Sequence, residues 1–153
     1  MTDLAFSNLN LPPAQLSNLN NLGYKQMTDI QAAALPLGLA GKDLIAKAKT
    51  GSGKTAAFAL PILSKLAVER RALQALILCP TRELCGQVTR EVRKLGRKES
   101  GLHVLAVAGG EPARSQIEAL ARGVHVVVGT PGRVLDLLQR GSIDFSGVTT
   151  VVL

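Results

Sequence analysis

The chain has 153 residues, 46% of them hydrophobic, which is enough for one real core and too little for two domains of ordinary size. Aromatics make up 3% with no tryptophan, so the core must be aliphatic, and a formal charge of +7 favours an anionic partner without naming one. Two cysteines, Cys79 and Cys85, exclude a disulfide framework, no Cys or His pair has zinc-ligand spacing, and no apolar run is long enough to cross a bilayer. Free thiols and a soluble, cytoplasmic protein without a membrane partner are expected.

In chain order, Leu16, Leu19 and Leu22 recur at helical spacing after Pro12-Pro13 and stop at Gly23, which predicts a short helix. A second helix follows from Ile30 to Leu39, capped by Thr28 or Asp29 and closed before Gly41. From Leu44 the pattern changes to short apolar runs at Leu44–Ala46, Leu76–Cys79, Val104–Val107, Val124–Val128 and Val151–Leu153, which read as buried strands. Helical patterns at Lys54–Arg70, Arg82–Lys98, Ala113–Arg122 and Arg133–Arg140 alternate with them. The expected fold is therefore α/β, a parallel sheet flanked by helices, and ligands should bind beyond the carboxyl ends of its strands. The alternating charges from Arg90 to Glu99 read as a solvated helix face.

Chemistry is densest at Ala48-Lys49-Thr50-Gly51-Ser52-Gly53-Lys54-Thr55. Gly51 and Gly53 permit a tight turn with amides aimed inward, and a helix starting near Lys54 adds its positive end, so the segment reads as a phosphate-binding loop. Lys54 is expected to reach the β and γ phosphates of a nucleoside triphosphate, and the Thr55 hydroxyl to ligate Mg²⁺. These two are the candidate catalytic residues, and Thr55 is the candidate metal ligand. A phosphate loop by itself does not choose among NTPases, because hydrolysis also needs a carboxylate for the metal at the end of another strand.

With its neighbours, the loop resembles the DEAD-box RNA helicases over essentially the whole chain. Gly23-Tyr24-Lys25-Gln26-Met27-Thr28-Asp29-Ile30-Gln31 is similar to the family's Q motif, with Phe6 upstream at the usual distance. Ala48 to Thr55 resembles motif I, in which Ala at the first position is normal. Pro80-Thr81-Arg82-Glu83-Leu84 resembles motif Ia, Gly109-Gly110 the paired glycines, and Thr130-Pro131-Gly132-Arg133 motif Ib. Leu11-Pro12-Pro13-Ala14-Gln15-Leu16 and Met27-Thr28 are similar to the wording of a bacterial member active in ribosome assembly.

The resemblance implies a RecA-like fold, ATP and Mg²⁺ as cofactors, and RNA as partner, ribosomal RNA being one candidate. It implies adenine recognition by Gln31 and Tyr24, with Phe6 as core or as a lid over the nucleotide. It also implies RNA contacts from Pro80, Thr81, Arg82, Gly109, Gly110, Thr130, Gly132 and Arg133. Met27 and Asp29 replace the usual Q-motif prolines, and Cys85 stands where Ala is common. In the family, Asp-Glu-Ala-Asp follows a strand like Val151–Leu153, and a second RecA-like domain completes the enzyme. Residues 1–40 are thus expected to be a Q-motif helical region and residues 41–153 a truncated RecA-like domain, a monomer that binds but neither hydrolyses ATP nor unwinds RNA.

Taken singly, each motif has a plainer reading. Tyr24 reads as a packed turn aromatic, Gly109-Gly110 as a turn, Thr130–Arg133 as a helix-starting turn with a solvated arginine, and His103 and His125 as strand-edge residues without function. A binding module without catalysis and a different P-loop ATPase remain the alternatives.

Overall fold

The computed structural model describes residues 3–153. These form two compact units, one from the described part of Met1–Lys65 together with Lys94–Glu99, the other from Leu66–Arg93 and Ser100–Leu153.

The first unit is helical. A 3-10 turn, Phe6–Asn8, precedes α1 (Pro13–Asn21), α2 (Asp29–Leu39) and α3 (Lys54–Lys65). Proline opens α1, where its missing N–H leaves no helical bond unmade, and Gly23 with φ of 84° lies just beyond its end. Thr28 caps α2 and Gln31 answers it, a reciprocal capping box that holds two otherwise unpaired amides. Leu35 and Leu60 are fully buried, and α2 packs on α3.

Helix α3 stops at Lys65 rather than continuing to Arg70. In the second unit the buried Gln74 side chain accepts from the Ala67 amide and donates to the Ala67 and Arg70 carbonyls. Those backbone groups are thereby taken out of helical pairing.

The second unit holds β1 (Ala75–Leu78), α4 (Arg82–Leu95, entering the first unit at its end), β2 (Val104–Val107), α5 (Ala113–Arg122), β3 (Val126–Gly129), α6 (Pro131–Gln139) and β4 (Thr150–Val152). The strands make a parallel sheet in the order β2-β3-β1-β4. On one face Leu76, Val107 and Val127 join Val134, Leu137 and Ile143 in a single apolar cluster, with Ile117 and Leu120 of α5 against it. On the other face Ile77, Val126 and Val128 are equally buried, which is why these strands read as continuous apolar runs rather than alternating ones.

Two expectations are corrected. Leu44–Ala46 forms no strand: Ile45 is 96% exposed, and no described strand lies alongside to pair with it. A strand exists only through its ladder, so an apolar run without a partner stays irregular. His125 is not at a strand edge but fully buried, its Nδ1 accepting from the His103 amide while Nε2 bonds the Val68 carbonyl. Those bonds tie three segments of the second unit together, so its role is structural.

Candidate nucleotide and nucleic-acid sites

In the first unit the phosphate loop runs from the irregular 42–49 segment straight into α3. Gly51 and Gly53 take φ of 81° and 88°, the left-handed region that side chains strain to enter. At Gly53 a second constraint is added, because a Cβ there would collide with the Gln31 amide. The loop is braced from within: the Ser52 amide and hydroxyl donate to the Lys49 carbonyl, and Lys54 Nζ donates to the Ala48 carbonyl at 2.8 Å. Behind it, the amides of the first turn of α3 have no intrahelical acceptor, as at every helix start, and present donors with a partial positive charge.

The Q-motif residues hold this loop. Thr28 Oγ1 donates to the Ser52 carbonyl at 2.7 Å, and Gln31 Nε2 donates to the Gly53 carbonyl at 3.1 Å. Gln31 Oε1 also accepts from the Thr28 amide. A glutamine amide offers two donors and two acceptor sites, so one of each is engaged and one of each is left. Thr28, Asp29, Ile30, Ala33, Lys47, Ala48 and Ser52 line a depression of about 400 Å³ beside the loop.

Tyr24 is half-buried, with Lys94 Nζ over its ring at 5.8 Å. Phe6 meets Tyr24 edge-on at 5.9 Å and is buried, so of its two expected roles the structure displays core packing.

In the second unit the sheet gathers the other three motifs. Leu78 and Val107 both lie in register with Gly129, so motif Ia, the paired glycines and motif Ib leave three neighbouring strands at the same end. Thr81 caps α4, its Oγ1 accepting from the Leu84 amide at 3.2 Å. Arg82 lies over the glycine turn: Gly110 has φ of 88°, and a Cβ there would run into the Arg82 guanidinium. Pro80, Thr81, Arg82, Gly109, Gly110 and Gly132 are exposed and Thr130 is half-buried. Two helix starts, α4 and α6, open beside them.

Arg133 differs from the expected outward charge. Its side chain is only 16% exposed, and Nη1 donates to the Glu111 carbonyl at 3.0 Å and to Gln116 Oε1 at 2.9 Å. Gln116 was not legible as a site residue, since nothing in sequence marks a helical glutamine in Ala113–Arg122 as internal.

Cys79 and Cys85 bracket motif Ia and are both buried. Burial first, and then the neighbouring Cys79, push the Cys85 thiol up to about 12. Neither cysteine is therefore a thiolate at neutral pH.

Residues 28–153 match the family described as DEAD/DEAH box helicase. The chain is 52% identical over 150 residues to the ATP-dependent RNA helicase DbpA of Escherichia coli, covering 97% of this chain and 33% of that protein. It is 43% identical to the DEAD-box ATP-dependent RNA helicase CshA of Streptococcus pneumoniae, covering 98% of this chain and 28% of the relative. Its fold is similar to the crystal structure of a DEAD box protein from Methanococcus jannaschii, with TM-score 0.90 and 38% identity over 96% of this chain and 40% of that one. The chain thus spans about a third of the curated relatives it matches. With its phosphate loop, the loop's Q-motif braces and three strand-end motifs on one parallel sheet, it belongs to the DEAD/DEAH box helicase family.

Proposed function

We propose that this chain is the ATP-holding and RNA-gripping part of a cytoplasmic ATP-dependent RNA helicase, completed in the working enzyme by a second RecA-like domain. The observation that carries the nucleotide half is the loop 48–55, with positive φ at Gly51 and Gly53, opening directly on the start of α3. Loop amides from Lys49 to Thr55 hold the phosphates, and the Lys54 ammonium exchanges the Ala48 carbonyl for a phosphate oxygen. That exchange replaces a neutral carbonyl acceptor with an anionic one and so adds ion-pair attraction to the hydrogen bond. The Thr55 hydroxyl would hold Mg²⁺, and the ion would supply neutralisation of phosphate charge.

Gln31, with one donor and one acceptor unspent, reads an adenine edge while it keeps Gly53 in place. Tyr24 flanks the base, and Phe6 supports Tyr24 from behind. Single-stranded RNA runs across the strand ends, its phosphates meeting Thr81, Arg82, Thr130 and the helix starts, and passing closest at Gly109, Gly110 and Gly132.

The test is titration of a fluorescent ATP analogue with Mg²⁺ into the chain and into Lys54→Ala, followed by competition with GTP. Saturable binding that weakens at least about tenfold in the variant and resists GTP is the expected result. Equal binding by both chains would overturn the phosphate-loop assignment, and equal displacement by GTP the role of Gln31.

A further inference from the structure

The turn carrying Gly109-Gly110 has two consecutive residues with no side chain to anchor it. Both of its flanks are nevertheless held. On one side the Ala108 carbonyl accepts from Gln116 Nε2 at 3.1 Å, and on the other the Glu111 carbonyl accepts from Arg133 Nη1 at 3.0 Å. The two anchors are joined, because the same Arg133 Nη1 donates to Gln116 Oε1 at 2.9 Å. Gln116 is 2% exposed, and Arg133 Nε also lies 3.9 Å from Asp136 Oδ2, which fixes the guanidinium from the α6 side.

We propose that Gln116 is a positioning residue that clamps the Gly109-Gly110 turn, through Ala108 directly and through Arg133 onto Glu111, and so sets the affinity for single-stranded RNA. This rests on the RNA reading above. It gives Arg133 a different part from a phosphate contact: its charge is spent inward, aligning the turn with motif Ib. The clamp suits the chemistry of the site. A glycine pair allows the phosphate backbone to approach closely, but its freedom would have to be lost on binding, and ordering it beforehand removes that entropic cost. Arg82, lying over Gly110, is then presented by a fixed surface rather than a moving one.

The full chain, Gln116→Ala and Gln116→Glu are compared well below their melting temperatures. Glutamate keeps the volume and an acceptor for Arg133 but has no N–H for the Ala108 carbonyl, so it guards against a folding failure of the alanine variant. Three readouts are taken: anisotropy with a fluorescein-labelled oligouridylate, the ATP-analogue titration, and ¹⁵N order parameters of residues 109–111. The clamp predicts RNA binding about tenfold weaker in both variants, unchanged nucleotide binding, and order parameters that fall only around the turn.

RNA affinity within twofold of the parent with unchanged order parameters would overturn it, as would equal losses of RNA and nucleotide binding, which mark a merely structural defect. A parent chain that binds no RNA would sink the RNA reading itself. The order parameters then decide the clamp alone, and an unmoved turn refutes it.

Discussion

Cys85 shows how a single side chain answers to its surroundings. Its thiol is buried against Cys79 and pushed up to about 12 from an ordinary value of 9.0. The native state therefore holds this proton more tightly than the unfolded chain does. The resulting contribution to stability is complete below about pH 9 and is lost as pH rises from there toward 12. At pH 8 a thiol-specific alkylating reagent should modify the native chain far more slowly than the urea-unfolded chain, with both sites then counted by mass spectrometry. Comparable rates would mean that the strand end and the first turn of α4 open freely. The sequence identified both cysteines as unpaired, but their mutual contact was not readable from it, because a six-residue spacing closes only when a strand gives way to a helix.

Among elements, the start of α2 has the densest set of duties. Thr28 caps the helix and its hydroxyl donates to Ser52, while Gln31 completes the capping box and holds Gly53. One turn of helix thereby sets the shape of the phosphate loop. Thr28→Val removes the cap and the bond to Ser52 together and should destabilise the chain by about 1–2 kcal/mol in a denaturant melt. Thr28→Ser, which keeps the hydroxyl, should stay near the parent, and equal losses in the two variants would show that the methyl group and not the cap matters. The cap itself was legible in Thr28 and Asp29, since capping is local chemistry. The bracing of the loop was not, because it joins residues more than twenty positions apart.

For the whole molecule, one of the two buried faces of the second unit's sheet is a single apolar cluster. Leu137 is fully buried there, whereas its neighbour Leu138 is 45% exposed. Leu137→Ala should cost about 2–5 kcal/mol by loosening β3 and α6, while Leu138→Ala should cost less than about 1 kcal/mol. Thermal melts of the two variants decide it, and similar shifts would place the core elsewhere.

Among the described residues, the sequence by itself determined the α/β class, four of the strands, the six helices apart from the early end of α3, and a glycine-rich loop that opens on a helix. Each of these follows from periodicity, capping residues or glycines that act over a handful of positions. Tertiary structure alone decided that Leu44–Ala46 stays unpaired, that His125 is an interior link, and that Arg133 turns inward to Gln116 and the glycine turn. Those outcomes depend on which distant backbone groups need a partner, and a hydrogen bond between residues far apart in the chain leaves no periodic mark on it.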